Sequence, residues 1–233
     1  MNTRAFLFLL LAAVLLTPAA HALEFRLLSW NGDIEGLNYA NGQKPVPVIA
    51  REGTLSPKYP YTGAGPLVLF REIQKDGKTV REPVATLPPP AGFTHAILVL
   101  AATDDAGTAY TARWINDSPE VRKAQTITYE NLSSLPVAIK LGQEELTLES
   151  NAKLTRPTNP AVRRVALMVA AHTQTGWELV VSSSQPVRPG LRTLVILRDG
   201  RANPYGPTEP VECLSFHDLP PPPAPAGTSV VSR

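Results

Sequence analysis

Leu37-Asn-Tyr-Ala-Asn-Gly-Gln-Lys-Pro-Val-Pro-Val48 and, one hundred residues later, Val137-Ala-Ile-Lys-Leu-Gly-Gln-Glu-Glu-Leu-Thr-Leu148 align without a gap. On each side of the shared Gly-Gln, apolar side chains alternate with other residues: Leu37, Tyr39, Val46 and Val48 in the first stretch, Val137, Ile139, Leu146 and Leu148 in the second. A period of two marks a strand with one buried face, because successive strand side chains point to opposite faces. Glycine between two such runs supplies the positive φ that a tight hairpin turn needs. Each stretch therefore reads as a β-hairpin, with Asn41-Gly42 at the turn of the first.

The parallel extends outward from the hairpins. Leu67-Val-Leu-Phe70, a Lys75-Asp-Gly77 turn, Val80 to Leu87, prolines and Ile97-Leu-Val-Leu100 match a second series. That series is Val165-Ala-Leu-Met168, a Gln174-Thr-Gly176 turn, Trp177 to Ser183, Pro186 with Pro189, and Leu194-Val-Ile-Leu197. His95 to Ala102 is an apolar run of the kind buried on both faces. Phe25 to Trp30, Tyr110 to Ile115 and Val211 to Phe216 complete the strand candidates. Twenty-four prolines and fifteen glycines leave little room for long helices. Only Asn116 to Glu120, with Ser118 as N-cap and Pro119 after it, suggests a helical turn. The class expected is all-β: two tandem antiparallel β-sandwich domains, immunoglobulin-like in size, residues 23–103 and 104–218. The boundary is placed at the polar cluster Thr103-Asp-Asp-Ala-Gly107.

Residues 1–22 read as a cleavable signal peptide. Arg4 supplies its positive charge, Ala5 to Leu16 form a twelve-residue apolar core, and Ala20-His-Ala22 gives a small-x-small cleavage pattern. Twelve apolar residues are too few to span a bilayer that needs about twenty. No cysteine follows the core, so neither a membrane anchor nor a lipid is expected, and the chain reads as periplasmic or secreted. Residues 219–233 form a Pro-rich tail that cannot bury a core and is expected to be disordered. The formal net charge of +2 gives no reason to expect nucleic acid.

Asn131-Leu-Ser-Ser-Leu-Pro-Val-Ala-Ile-Lys-Leu-Gly142 resembles a phrase of uncharacterised exported bacterial tandem β-sandwich proteins, where a strand, an Asn-Leu-Ser turn and a hairpin recur. The resemblance implies fold and compartment and brings no functional residues with it.

Catalytic motifs are missing from the sequence: no G-x-S-x-G elbow, P-loop, dinucleotide fingerprint, H-E-x-x-H or C-x-x-C. His95 and His172 stand at strand ends without an acidic or nucleophilic neighbour at a recognisable spacing. No residue is assigned as catalytic, cofactor-binding or metal-binding, and no cofactor is implied. Asn31-Gly-Asp33-Ile-Glu35-Gly36 copies the oxygen-rich first half of a calcium loop, but its twelfth position is Gly42 where a bidentate Glu is required. It reads as a β-turn. Between residues 151 and 201, Lys153, Arg156, Arg163, Arg164, Arg188, Arg192, Arg198 and Arg201 face only Glu178 and Asp199. Sharing one face, they would attract an anionic glycan; on alternating strand positions they would scatter over solvent. Cys213, the one cysteine, is expected to be buried as a small hydrophobe, the other reading being a covalent dimer. Trp30, Trp114 and Trp177 are expected in the core, although the same residue serves as a sugar platform.

Three function classes stay open. One is a non-catalytic structural or interaction module of the bacterial envelope, with an envelope protein or glycan as partner. The others are a periplasmic assembly chaperone acting by strand addition, and a carbohydrate-binding protein or hydrolase using Asp104, Asp105, Trp114 and Asp117 between the domains.

Overall fold

A computed structural model describes residues 22–220 apart from 43, 64, 104–106, 202–205 and 207. The stretch read as a signal peptide, up to His21, and the tail from Pro221 lie outside the described residues. Among those described, all regular structure is strand.

The first unit holds two four-stranded sheets. One runs β4 (Tyr59–Tyr61), β1 (Leu23–Ser29), β7 (His95–Ala102), β8 (Tyr110–Asn116); the other runs β3 (Lys44–Pro47), β2 (Leu37–Asn41), β5 (Leu67–Lys75), β6 (Lys78–Leu87). The second unit repeats the plan, each strand number raised by eight. Its sheets are β12 (Lys153–Pro157), β9 (Thr126–Asn131), β15 (Arg192–Asp199), β16 (Val211–Asp218), and β11 (Glu144–Leu148), β10 (Val137–Leu141), β13 (Arg164–Thr173), β14 (Gly176–Pro186). The ladders between named strands are antiparallel except for one parallel pair in each unit, β1 with β7 and β9 with β15. Even irregularities recur: the β5–β6 ladder slips between Leu69 and Phe70, the β13–β14 ladder between Val169 and Ala170. The two halves are thus tandem β-sandwich units of one topology.

The two quoted stretches close where Gly-Gln predicts, one residue later than Asn41-Gly42 alone suggests. Asn41 pairs with Lys44 and Leu141 with Glu144, and Gly42 and Gly142 take φ of 67° and 62°. Each unit has its own core. Phe25, Leu27, Tyr39, Leu69 and Leu98 are buried in the first, Ile127, Tyr129, Ile139, Val169 and Leu197 in the second. Side chains of this size each contribute about 1.5–3 kcal/mol when fully buried. Phe25 sits edge-on to Tyr39 at 5.3 Å and to Trp114 at 6.1 Å, whereas the second core is mainly aliphatic around Tyr129.

The boundary differs from the expected one. Tyr110–Asn116 does not open the second unit; as β8 it pairs with β7 from Ala96↔Asn116 to Ala102↔Tyr110, and the units divide between Asn116 and Asp117. Pairing decides this, because β7 carries five consecutive buried residues, Ala96 to Leu100, and needs a neighbour on each edge. The turn after it is not a helix: the Ser118 carbonyl accepts from the Val121 and Arg122 amides, and the chain then turns away.

Candidate functional site

The outer face of the β13–β14 ladder is the surface least explained by the fold. Alternation turns Leu167, Val169 and Ala171 into the core and Met168, Ala170 and His172 outward. Cross-strand register places Trp177 opposite His172, Leu179 opposite Ala170 and Ser182 opposite Met168. Val180 is the extra residue of the bulge, and both it and Val181 pack on the core, so outward alternation resumes at Ser182. Trp177 is therefore not a core residue: it is 50 % exposed, Leu179 59 % and Met168 37 %. Trp177 holds His172 edge-on at 4.8 Å.

The first unit serves as an internal control. Matching the two ladders at their bulges sets Phe70 against Ala170, Pro83 against Leu179, Glu72 against His172 and Arg81 against Trp177. There, Glu72 and Arg81 form an exposed ion pair at 3.6 Å and the Arg81 guanidinium lies 4.8 Å over the Phe70 ring, which is buried. One topology is thus built with a charged outer face in one copy and a bare apolar one in the other. The apolar strip is not required by the fold.

The eight basic residues divide into two groups. Lys153 pairs with Glu130 at 3.1 Å and Arg156 with Glu144 at 2.8 Å. Arg198, fully buried on β15, reaches Glu212 on β16 at 2.5 Å, and Arg201 adds a contact at 3.1 Å. Burial works to raise the Glu212 carboxyl, but hydrogen bonds from both arginines outweigh it and leave it below the usual value. Arg192 is buried too, its Nε and Nη2 on the two oxygens of Asp218 at 2.8 and 3.0 Å. Asp117 and Arg122 complete that cluster, Arg122 donating to Asp117 and Arg192 Nη1 to the Asp117 carbonyl at 3.0 Å. Arg163, Arg164 and Arg188 are exposed, and among the described residues no carboxylate pairs with them. They line a common groove.

Other candidates resolve into structural roles. Asp33 accepts the Glu52 amide at 2.9 Å, and Glu52 in turn accepts the Gly32 amide at 3.0 Å, so this loop's carboxylates brace its own backbone. Parallel pairing puts Glu24 beside His95, an acidic neighbour that sequence spacing does not reveal, with Nε2 3.2 Å from the carboxylate and Lys58 at 2.6 Å. His217 meets Thr193 at 3.0 Å, and burial lowers its pKa. Cys213 packs on the second core, where burial pushes the thiol up to about 11 and leaves almost no thiolate at neutral pH. Trp114 packs on the first core and donates from Nε1 to the Pro88 carbonyl. Asp117 is held by Arg122 and Arg192, while Asp104 and Asp105 lie outside the described residues.

No protein-family model matches the chain, and no curated protein sequence does. Among solved structures, a DUF3823 family protein from Bacteroides ovatus aligns over 72 % of this chain and 100 % of its own, at 12 % identity. The TM-score is 0.19, too low for that likeness to bear on fold or function. The class the strands define is a tandem β-sandwich protein.

Proposed function

We propose that this chain is an exported, non-catalytic interaction module of the bacterial envelope that docks a partner protein on the outer face of β13 and β14. The supporting observation is the exposed strip of Met168, Trp177 and Leu179, set where the first unit carries Glu72 and Arg81. Tryptophan and methionine are enriched in the centres of protein interfaces, where large apolar side chains are desolvated together. β14 also ends its sheet and is eleven residues long, so an extended segment could add to it as a further strand.

The test is capture from envelope extract by the mature chain beside a Trp177→Ser/Leu179→Ser variant. A protein retained by the first and lost by the second supports the reading. Equal capture by both, or capture of polysaccharide alone, overturns it.

A further inference from the structure

We infer that the groove lined by Arg163, Arg164 and Arg188 binds a segment of acidic polysaccharide. It is an open trough of about 590 Å³ between the connection that precedes β13 and the one that follows β14. That volume lies in the range of small-ligand sites. Its other lining residues are Pro160, Ala161, Val162, Pro186, Val187 and Pro189, none of them acidic.

The walls are fixed. The Val187 amide donates to the Arg163 carbonyl at 2.8 Å, joining the two connections. Gln125 clips both from beneath: its carbonyl accepts the Thr158 amide at 2.8 Å, its Nε2 donates to Thr158 Oγ1 at 3.1 Å, and its Oε1 accepts the Gly190 amide at 2.7 Å. It does so at a φ of 57°, a conformation that non-glycine residues hold only when their surroundings impose it. Arg164 is already oriented, Nε on Ser184 Oγ at 2.9 Å and Nη2 on the Ser184 carbonyl at 2.6 Å. The five other basic residues of this region are matched by carboxylates, and among the described residues these three are not.

The duplication again separates fold from function. The corresponding stretches of the first unit, residues 62–66 (TGAGP) and 88–92 (PPPAG), carry no charge, so the same connections form without arginine. Guanidinium groups present a planar fork that fits a carboxylate through two parallel hydrogen bonds. Proline and valine offer apolar C–H surface for the faces of sugar rings. The lining contains no aromatic side chain, which single-stranded nucleic acid would need for base stacking. An acidic sugar chain matches both the charge and the walls.

Titration of the chain beginning at Leu23, at low ionic strength, tests this with four probes: an oligogalacturonide, a neutral dextran oligosaccharide of equal length, inorganic phosphate and a single-stranded oligonucleotide. The oligogalacturonide is expected to bind, weakening as salt rises. Arg163→Ala/Arg188→Ala should cut its affinity about tenfold or more while leaving the circular dichroism and thermal midpoint unchanged, since neither side chain has a partner to lose among the described residues. No binding of the oligogalacturonide, equal binding by the folded variant, or tighter binding of the dextran, the phosphate or the oligonucleotide would each overturn the inference.

Discussion

At the scale of single residues, the buried polar groups make the firmest statements. The Tyr129 hydroxyl is buried in the second core with no hydrogen-bond partner among the described residues, and burial raises its pKa far above the ordinary tyrosine value, with the nearby Cys213 and Glu144 adding to the shift. A hydroxyl buried without a protein partner is a net cost, so Tyr129→Phe should stabilise the protein by about 1 kcal/mol, read as a higher denaturation midpoint. Glu212 behaves in the opposite way. Its folded pKa is depressed by Arg198 and Arg201, so its stabilisation is present above the unfolded glutamate value of about 4.3 and is lost as pH falls through the lower folded value. Glu212→Gln should flatten that acid limb of the stability curve. At neutral pH it should cost about 2 kcal/mol, less than for a fully enclosed pair because the carboxylate is 23 % exposed. Neither residue could be singled out from the sequence, since the strands that flank Tyr129 lie 25 or more residues away and the partners of Glu212 follow from the β15–β16 register, which pairs Arg198 with Glu212.

At the scale of elements, strands with strong alternation or long apolar runs are legible, and very short or polar ones are not. The hairpin of β10 and β11 and the run of β7 follow directly from residue pattern. β4, β9 and β12 have no counterpart in the sequence reading. Tyr59-Pro60-Tyr61 is short and carries a proline, and Lys153 to Pro157 is polar, as suits strands at the edge of a sheet. Thr126-Ile-Thr-Tyr129 does carry the β-branched alternation of a strand, so β9 had a usable signal. β8 was visible as a strand, but its allegiance was not, because its pairing with β7 is set across a polar stretch of sequence that reads equally well as a domain boundary. Its removal gives a direct test. A fragment of residues 23–116 should fold cooperatively to a β-rich state, whereas residues 23–103 should not, because β7 then has an open edge; far-ultraviolet circular dichroism with urea melts distinguishes the two.

At the scale of the whole molecule, each unit has its own core, and the second is closed by the charge cluster that joins its first residue, Asp117, to the last residue of its final strand, Asp218, through Arg122 and Arg192. Arg122 and Arg192 are only 1 % exposed, and removing one carboxylate leaves buried guanidinium charge uncompensated. Asp117→Ala should therefore destabilise the second unit by about 3–5 kcal/mol. Calorimetry should show one unfolding transition displaced and the other unmoved; a uniform shift would mean that the units unfold together. The sequence by itself determined the class, the duplication and its period, because alternation and turn glycines are local properties that repeat wherever the same unit is built. Tertiary structure alone decided which basic residues are neutralised, that Trp177 faces outward, and where one unit ends. Those outcomes depend on cross-strand register and on partners tens of residues away, and a charge or a tryptophan acquires its role only once its neighbours across the sheet are set.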